Sequence, residues 1–119
     1  MNKLTNQSAF TKAAEGLLDQ MAQSRAWSGV CKYRTFKDGK LLCCGVGFLV
    51  SDELASLMDI GDDSSVTYVV KLEEVYEVLG HLNMELLVAI QAIHDKLSPE
   101  AWEESLKRVA EDFNLIWEL

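Results

Sequence analysis

Residues 31–45 read Cys-Lys-Tyr-Arg-Thr-Phe-Lys-Asp-Gly-Lys-Leu-Leu-Cys-Cys-Gly, and no other stretch of the chain limits its fold as strongly. Two runs rich in aromatic, branched and thiol side chains flank an Asp-Gly pair, a strong short-range signal for a β-hairpin. All three cysteines of the protein, Cys31, Cys43 and Cys44, lie inside it. Register then decides which thiols share a face. With Asp38-Gly39 as a two-residue turn, Lys37 pairs with Lys40, and Cys31, Tyr33, Leu42 and Cys44 lie on one side. With a three-residue loop and a left-handed Gly39, Phe36 pairs with Lys40, and Cys31, Tyr33, Cys43 and Gly45 align instead. Both registers are open to the sequence.

The rest of the chain supplies helices to cover this hairpin. Phe10, Ala14, Leu17, Leu18 and Met21 recur at three- and four-residue spacing, which predicts a helix over 8–23 with Thr5 or Ser8 as its cap. Trp27 is expected to plug the core from the connector. Gly45 and Gly47 imply a bulge or the close approach of another backbone, with Phe48, Leu49 and Val50 ending the second strand. Ser51, followed by Asp52 and Glu53, opens a short helix to Met58, and 59–65 reads as a loop. Val66 to Val70 is β-branched and is expected to be a third strand, because a lone hairpin is marginal.

From Leu72 an apolar stripe runs through Val75, Leu79, Leu82, Leu86, Ile90, Ile93 and Leu97, with a break expected near Gly80 and Asn83. Ser98-Pro99-Glu100 restarts a helix that turns Trp102, Leu106, Val109 and Phe113 inward and stops at Asn114. The expected fold class is α+β, a hairpin or three-stranded antiparallel sheet packed on four to five helices. Its core is expected to hold Phe48, Leu49, Leu79, Leu86, Ile90, Trp102 and Leu106.

At 119 residues, with one proline and seven glycines, the chain suits a single domain over 1–119 that buries roughly 65% of its unfolded surface. No apolar run approaches the roughly 18 residues of a membrane helix, and the N-terminal residues lack a signal peptide's charged and apolar blocks. A cytoplasmic setting with reduced thiols is the expectation. The formal net charge of −8 argues against a nucleic-acid or anionic-membrane binder. Oligomeric state is not legible.

Three candidate sites follow. Cys31, one of Cys43 and Cys44, and His94 or His81 offer the ligand types that zinc prefers. However, no Cys-x-x-Cys pair exists, and adjacent cysteines in a strand point to opposite faces. Thiols packed as small hydrophobes are the expected outcome, with no cofactor and no catalytic residue. A Cys/His nucleophile pair would need an aspartate to orient His94. Asp95 is not expected to serve, because neighbours on a helix diverge by about 100°, whereas Asp52 is a candidate. His94 itself is expected at the edge of the apolar stripe, bonded to a hairpin carbonyl or to Tyr33, and His81 on an exposed face. Arg34 is expected in a structural ion pair with Asp52 or Asp95 rather than on a phosphate, since Gly45-Val46-Gly47 is no phosphate loop. The third candidate is a partner-binding surface of Asp59, Asp62, Asp63, Glu73, Glu74 and Glu77, which, joined by further acids on the last helix, would mimic nucleic-acid phosphates if they converge.

Several of these motifs occur together in known proteins. Cys31-Lys32-Tyr33-Arg34, Asp38-Gly39, either Cys44-Gly45-Val46-Gly47 or Cys43-Cys44-Gly45, Ser51-Asp52-Glu53, His94-Asp95 and Trp102 follow one another in an order that resembles a family of small bacteriophage and prophage proteins. Lys37 stands where that pattern has proline. The resemblance implies a phage setting and a shared fold, with no mechanism. The expected function is therefore that of a small acidic accessory protein in the cytoplasm of a host cell. It would bind a host protein and modulate it, inhibiting a defence or nucleic-acid enzyme. The alternative is a zinc- or thiol-dependent enzyme built on Cys31, Cys43 or Cys44, and His94.

Overall fold

A computed structural model describes residues 3–25, 32–37, 39–59 and 66–119. Trp27, Cys31, Asp38, Asp62 and Asp63, named above, lie outside the described residues, as does most of the loop at 59–65. The fold is α+β, with helices packed around a two-stranded antiparallel ribbon. No helix among the described residues is long and apolar enough to cross a membrane.

Helix α1 (Asn6–Gln20) starts from a reciprocal cap. The Thr5 hydroxyl accepts the Ser8 N–H at 3.0 Å, and the Ser8 hydroxyl accepts the Thr5 N–H at 2.8 Å, which satisfies two otherwise orphaned donors. Ala9, Phe10, Ala13, Ala14 and Leu17 form its buried stripe. The helix stops three residues earlier than the apolar spacing predicts, at a left-handed Met21. The polar residues that follow, Gln23 and Ser24, have partners elsewhere in the fold.

Strands β1 (Arg34–Lys37) and β2 (Lys40–Cys43) form the expected hairpin in its two-residue-turn register, with Lys37 opposite Lys40 and Arg34 opposite Cys43. Gly39 has φ +78°, a backbone state that costs a side-chain-bearing residue about 1–2 kcal/mol. Tyr33, Leu42 and Cys44 are buried, while Phe36 and Leu41 are exposed on the other face.

Both edges of this short ribbon are closed by side chains. The Gln20 carboxamide accepts the Cys43 N–H at 2.9 Å and donates to the Cys43 carbonyl at 2.8 Å, standing in for a neighbouring strand. On the other edge, the Asp59 carboxylate accepts the N–H groups of Tyr33 and Arg34 at 2.9 and 3.2 Å. A strand edge blocked in this way cannot extend easily.

The expected third strand is corrected accordingly. Val66–Val69 is a helical turn, α3, packed on α5 (Met84–Lys96). Val66, Val69 and Val70 are buried, and their i, i+3, i+4 spacing points one way on a helix and two ways on a strand. The second strand also ends sooner than expected, since Val46–Leu49 is a 3-10 turn. Within it Gly47 passes so close to Tyr33 that a Cβ would collide with the Tyr33 carbonyl oxygen.

Helix α2 (Asp52–Met58) is capped by Ser51 as the sequence predicts. The long apolar stripe is two helices, α4 (Glu73–Leu79) and α5, broken at Gly80, with Asn83 capping the second. A 3-10 turn, Pro99–Ala101, leads into α6 (Trp102–Asp112). Helices α1, α5 and α6 pack on one another. Leu49, Leu79, Leu86, Ile90, Trp102 and Leu106 are core residues as expected, whereas Phe48 is only partly buried at the core's edge.

Candidate functional site

The chemistry-bearing residues divide between an interior cluster and an outer face. The cluster centres on His94, which is fully buried and not at the edge of the stripe. Its ring stacks on Trp102 with centroids 5.8 Å apart. Nε2 accepts the backbone N–H of Ser24 at 2.8 Å, so the ring proton belongs on Nδ1. Nδ1 faces Asp95 Oδ1 at 2.7 Å. Asp95 therefore does orient the imidazole, contrary to the expectation from helical angles. Consecutive residues diverge at Cα, but two flexible side chains at one end of a helix can still curl together.

Ser24 is the partner that sequence reasoning missed. Its N–H meets His94, and its hydroxyl donates to the Leu42 carbonyl at 3.2 Å, tying α5 to β2. Gln23 and Arg25 close the same junction. Gln23 Nε2 donates to the carbonyls of His94 and Leu97 at 2.8 and 3.2 Å, and Arg25 Nη2 to that of Asp95 at 2.8 Å. These carbonyls lie at the C-terminal end of α5, where helical partners run out. A lone buried serine just past the end of a helix adds nothing to a periodic pattern, which is why the sequence hid it.

Asp95 Oδ1 also accepts Gln91 Nε2 at 3.0 Å, and Gln91 Oε1 accepts the Val46 N–H at 3.3 Å. Gln91 reaches the Cys44 thiol as well. The Cys44 sulfur accepts the N–H of Gly47, in the 3-10 turn that follows, at 3.3 Å. Burial pushes the Cys44 thiol far above the ordinary 9.0, with the Gly47 and Gln91 contacts opposing only in part. Burial also raises the Cys43 thiol, against the pull of the Arg34 charge. Both remain thiols at neutral pH, and a thiol is a poor nucleophile and metal ligand. The arrangement is an interior hydrogen-bond network whose imidazole lone pair is already taken by an amide. Among the described residues, no group of three or more His, Cys, Asp or Glu could hold a metal ion. Cys31 lies outside them, so the structure places no three-cysteine set.

The outer face belongs to the hairpin. Arg34 forms an ion pair with Asp52, as expected, and its Nη2 donates to the carbonyls of Val50 and Gly47 at 2.7 and 3.2 Å. It thereby fixes β1 to the start of α2. Phe36 is 75% exposed, and Leu41, its cross-strand partner, is 43% exposed. With Arg34, Thr35, Asp52 and Ser56 they line an open cleft of about 460 Å3.

Four of the six acidic candidates lie among the described residues. The Asp59 carboxylate is turned onto the hairpin backbone, while Glu73, Glu74 and Glu77 are exposed on α4 beside Tyr76, itself 61% exposed. His81 is exposed, as expected, and its Nε2 contacts the Leu4 carbonyl. No protein-family model, curated protein or solved structure matches the chain.

Proposed function

We propose that this chain is a non-catalytic binding protein, a phage-type accessory factor that acts in a host cell by contacting a host protein and modulating it. One observation carries the reading. The Cys44 thiol and His94 are buried and hydrogen-bonded, and the Cys43 thiol is buried, whereas the hairpin directs Phe36 and Leu41 into solvent as a cross-strand pair. A buried thiol of raised pKa does no covalent chemistry. An exposed aromatic-aliphatic pair beside an anchored arginine is the residue chemistry of a binding hot spot. The exposed acids of α4 supply a second contact surface, suited to a basic partner.

The test is affinity capture from host lysate on the immobilised full chain, repeated with Phe36→Ser/Leu41→Ser and with Glu73→Lys/Glu74→Lys/Glu77→Lys. A stoichiometric partner retained by the native chain and lost with the hairpin variant is the expected result. Loss with the α4 variant, together with release by salt, would assign the acidic face instead. No stoichiometric partner under any condition would defeat the proposal. Stoichiometric zinc in chelator-free protein would also defeat it, in favour of the zinc-dependent enzyme.

A further inference from the structure

The C-terminal residues 115–119 leave α6 through Asn114, which is left-handed at φ +55°, and run back over α1. They are held in an unusual way for a terminal tail. The Gln7 carboxamide accepts the Ile116 N–H at 2.8 Å and donates to the Ile116 carbonyl at 2.9 Å. It reads the tail's backbone as a neighbouring strand would. One turn along α1, Thr11 Oγ1 donates to Glu118 Oε1 at 2.9 Å, and Gln7 Nε2 reaches the same oxygen at 3.0 Å. Between these polar seats the Trp117 ring lies against Phe10, centroids 6.2 Å apart, with Lys107 Nζ 5.7 Å from its centroid. The groove thus recognises three things: an extended backbone, an aromatic ring under a cation, and a carboxylate.

Two observations show that this seat is a groove open at the surface, with Phe10 of the core as its floor. Ile116 is 69% and Leu119 47% exposed, and the polar contacts of Gln7 and Thr11 with the tail lie at the exposed surface. Leu115 and Trp117 anchor the tail as partly buried side chains packed on the core, and a segment with no fully buried side chain opens locally without global unfolding. The groove also continues past Glu118 as an open cleft of about 530 Å3 along α1, lined by Leu4, Ser8, Thr11, Lys12, Glu15 and Gly16 among others. The tail therefore fills only one end of it.

We infer that the α1/α6 groove is a peptide-binding site occupied in cis by the chain's own residues 115–119. Its ligand in trans is an extended segment of a partner protein that carries an aromatic residue followed by a carboxylate, and it competes with the tail. Backbone capture by Gln7 makes the site tolerant of sequence at the position of Ile116. The ring and carboxylate seats set its specificity. This site is separate from the hairpin face and stands or falls independently of it.

The experiment uses the full chain with its tail loosened by Ile116→Pro, which removes the N–H donated to Gln7, and Trp117→Ala, which removes the ring. The probe is a fluorescein-labelled peptide Asn-Leu-Ile-Trp-Glu-Leu, copied from residues 114–119, followed by anisotropy. Saturable binding to the loosened chain is expected, roughly ten-fold or more tighter than to the native chain, where the closed tail reduces the competent fraction. Adding Gln7→Ala to the loosened chain should abolish most of that binding. No saturable binding to a loosened chain that still melts cooperatively would overturn the inference, as would equal binding with and without Gln7. Loss of cooperative melting would make the tail part of the core and overturn it too. A native dimer that the peptide dissociates would place a second copy, not a partner, in the groove.

Discussion

The backbone N–H of Ser24 donates to Nε2 of His94 at 2.8 Å across 70 residues of sequence. That single bond fixes the imidazole tautomer, seats the connector against the end of α5, and takes the lone pair a catalytic base would need. An Asp-His pair in sequence invites comparison with a triad. Here the pair faces an amide instead of a nucleophile, so it acts as a structural clasp.

Replacing His94 should therefore lower stability without touching any binding activity. His94→Leu leaves the buried Ser24 N–H without an acceptor, a loss of about 1–3 kcal/mol in addition to the altered packing on Trp102. His94→Gln retains an acceptor and should lose less. Urea titration of both variants checks the order, and equal losses would refute the clasp.

The buried thiols make alkaline pH destabilising. Cys44 has a folded pKa raised above its unfolded value of 9.0. Its contribution is therefore fully present below about pH 9 and declines as pH rises beyond it, by at most about 1.4 kcal/mol per pH unit. Urea midpoints of the native chain should fall faster between pH 9 and 10.5 than those of Cys44→Ala. Iodoacetamide at pH 8 should label Cys44 only at the rate of unfolding. Rapid labelling without denaturant would contradict this burial.

Edge closure should be measurable at Gln20. Gln20→Ala removes both bonds to Cys43, at about 1–2 kcal/mol in total, and uncovers a strand edge. The variant should also associate more readily at high concentration, which light scattering would detect. A variant as stable and as monodisperse as the parent would show that water replaces the amide without loss.

Two glycines should respond for different reasons. Gly47→Ala drives a Cβ into the Tyr33 carbonyl, an overpacking clash of about 3 kcal/mol. Gly39→Ala meets open space but keeps φ +78°, and should lose only about 1 kcal/mol. Thermal melts of the pair separate steric from conformational cost.

Phe36→Ser should leave stability within about 0.5 kcal/mol, as befits a side chain 75% exposed and removed from the core. The same variant is expected to lose the captured partner. A large stability change would instead mean that the hairpin's outer face is covered in the native state.

Local signals carried far along this chain. Asp38-Gly39, Thr5, Ser51 and Ser98-Pro99 mark a turn and helix starts through chemistry confined to four or five residues, and α1, α2 and the turn into α6 begin there. Asn83 signals only a break, and its place as the cap of α5 is not legible. Over 66–70 the β-branched composition points to a strand, while the spacing of Val66, Val69 and Val70 makes a helical face, and the helix wins. Gly45 and Gly47 announced a close approach but not that the strand would wind into a 3-10 turn. The candidate site was the least legible. The cysteines and histidines stand out in any reading, yet Gln7, Gln20, Gln23, Ser24 and Gln91 hold the junctions together. Polar residues at such positions look like ordinary surface.

The sequence alone determined most of the periodic faces, the caps at Thr5 and Ser51 and the hairpin at Asp38-Gly39, because propensity, capping and alternation act between near neighbours. The tertiary fold alone decided that His94 would be a clasp, that Asp59 would serve the hairpin backbone and that the tail would rest on α1. Each depends on a backbone or side-chain group brought from 25 or more residues away. Hydrogen bonds operate only within about 3 Å, so which distant group arrives is set by packing of the whole chain.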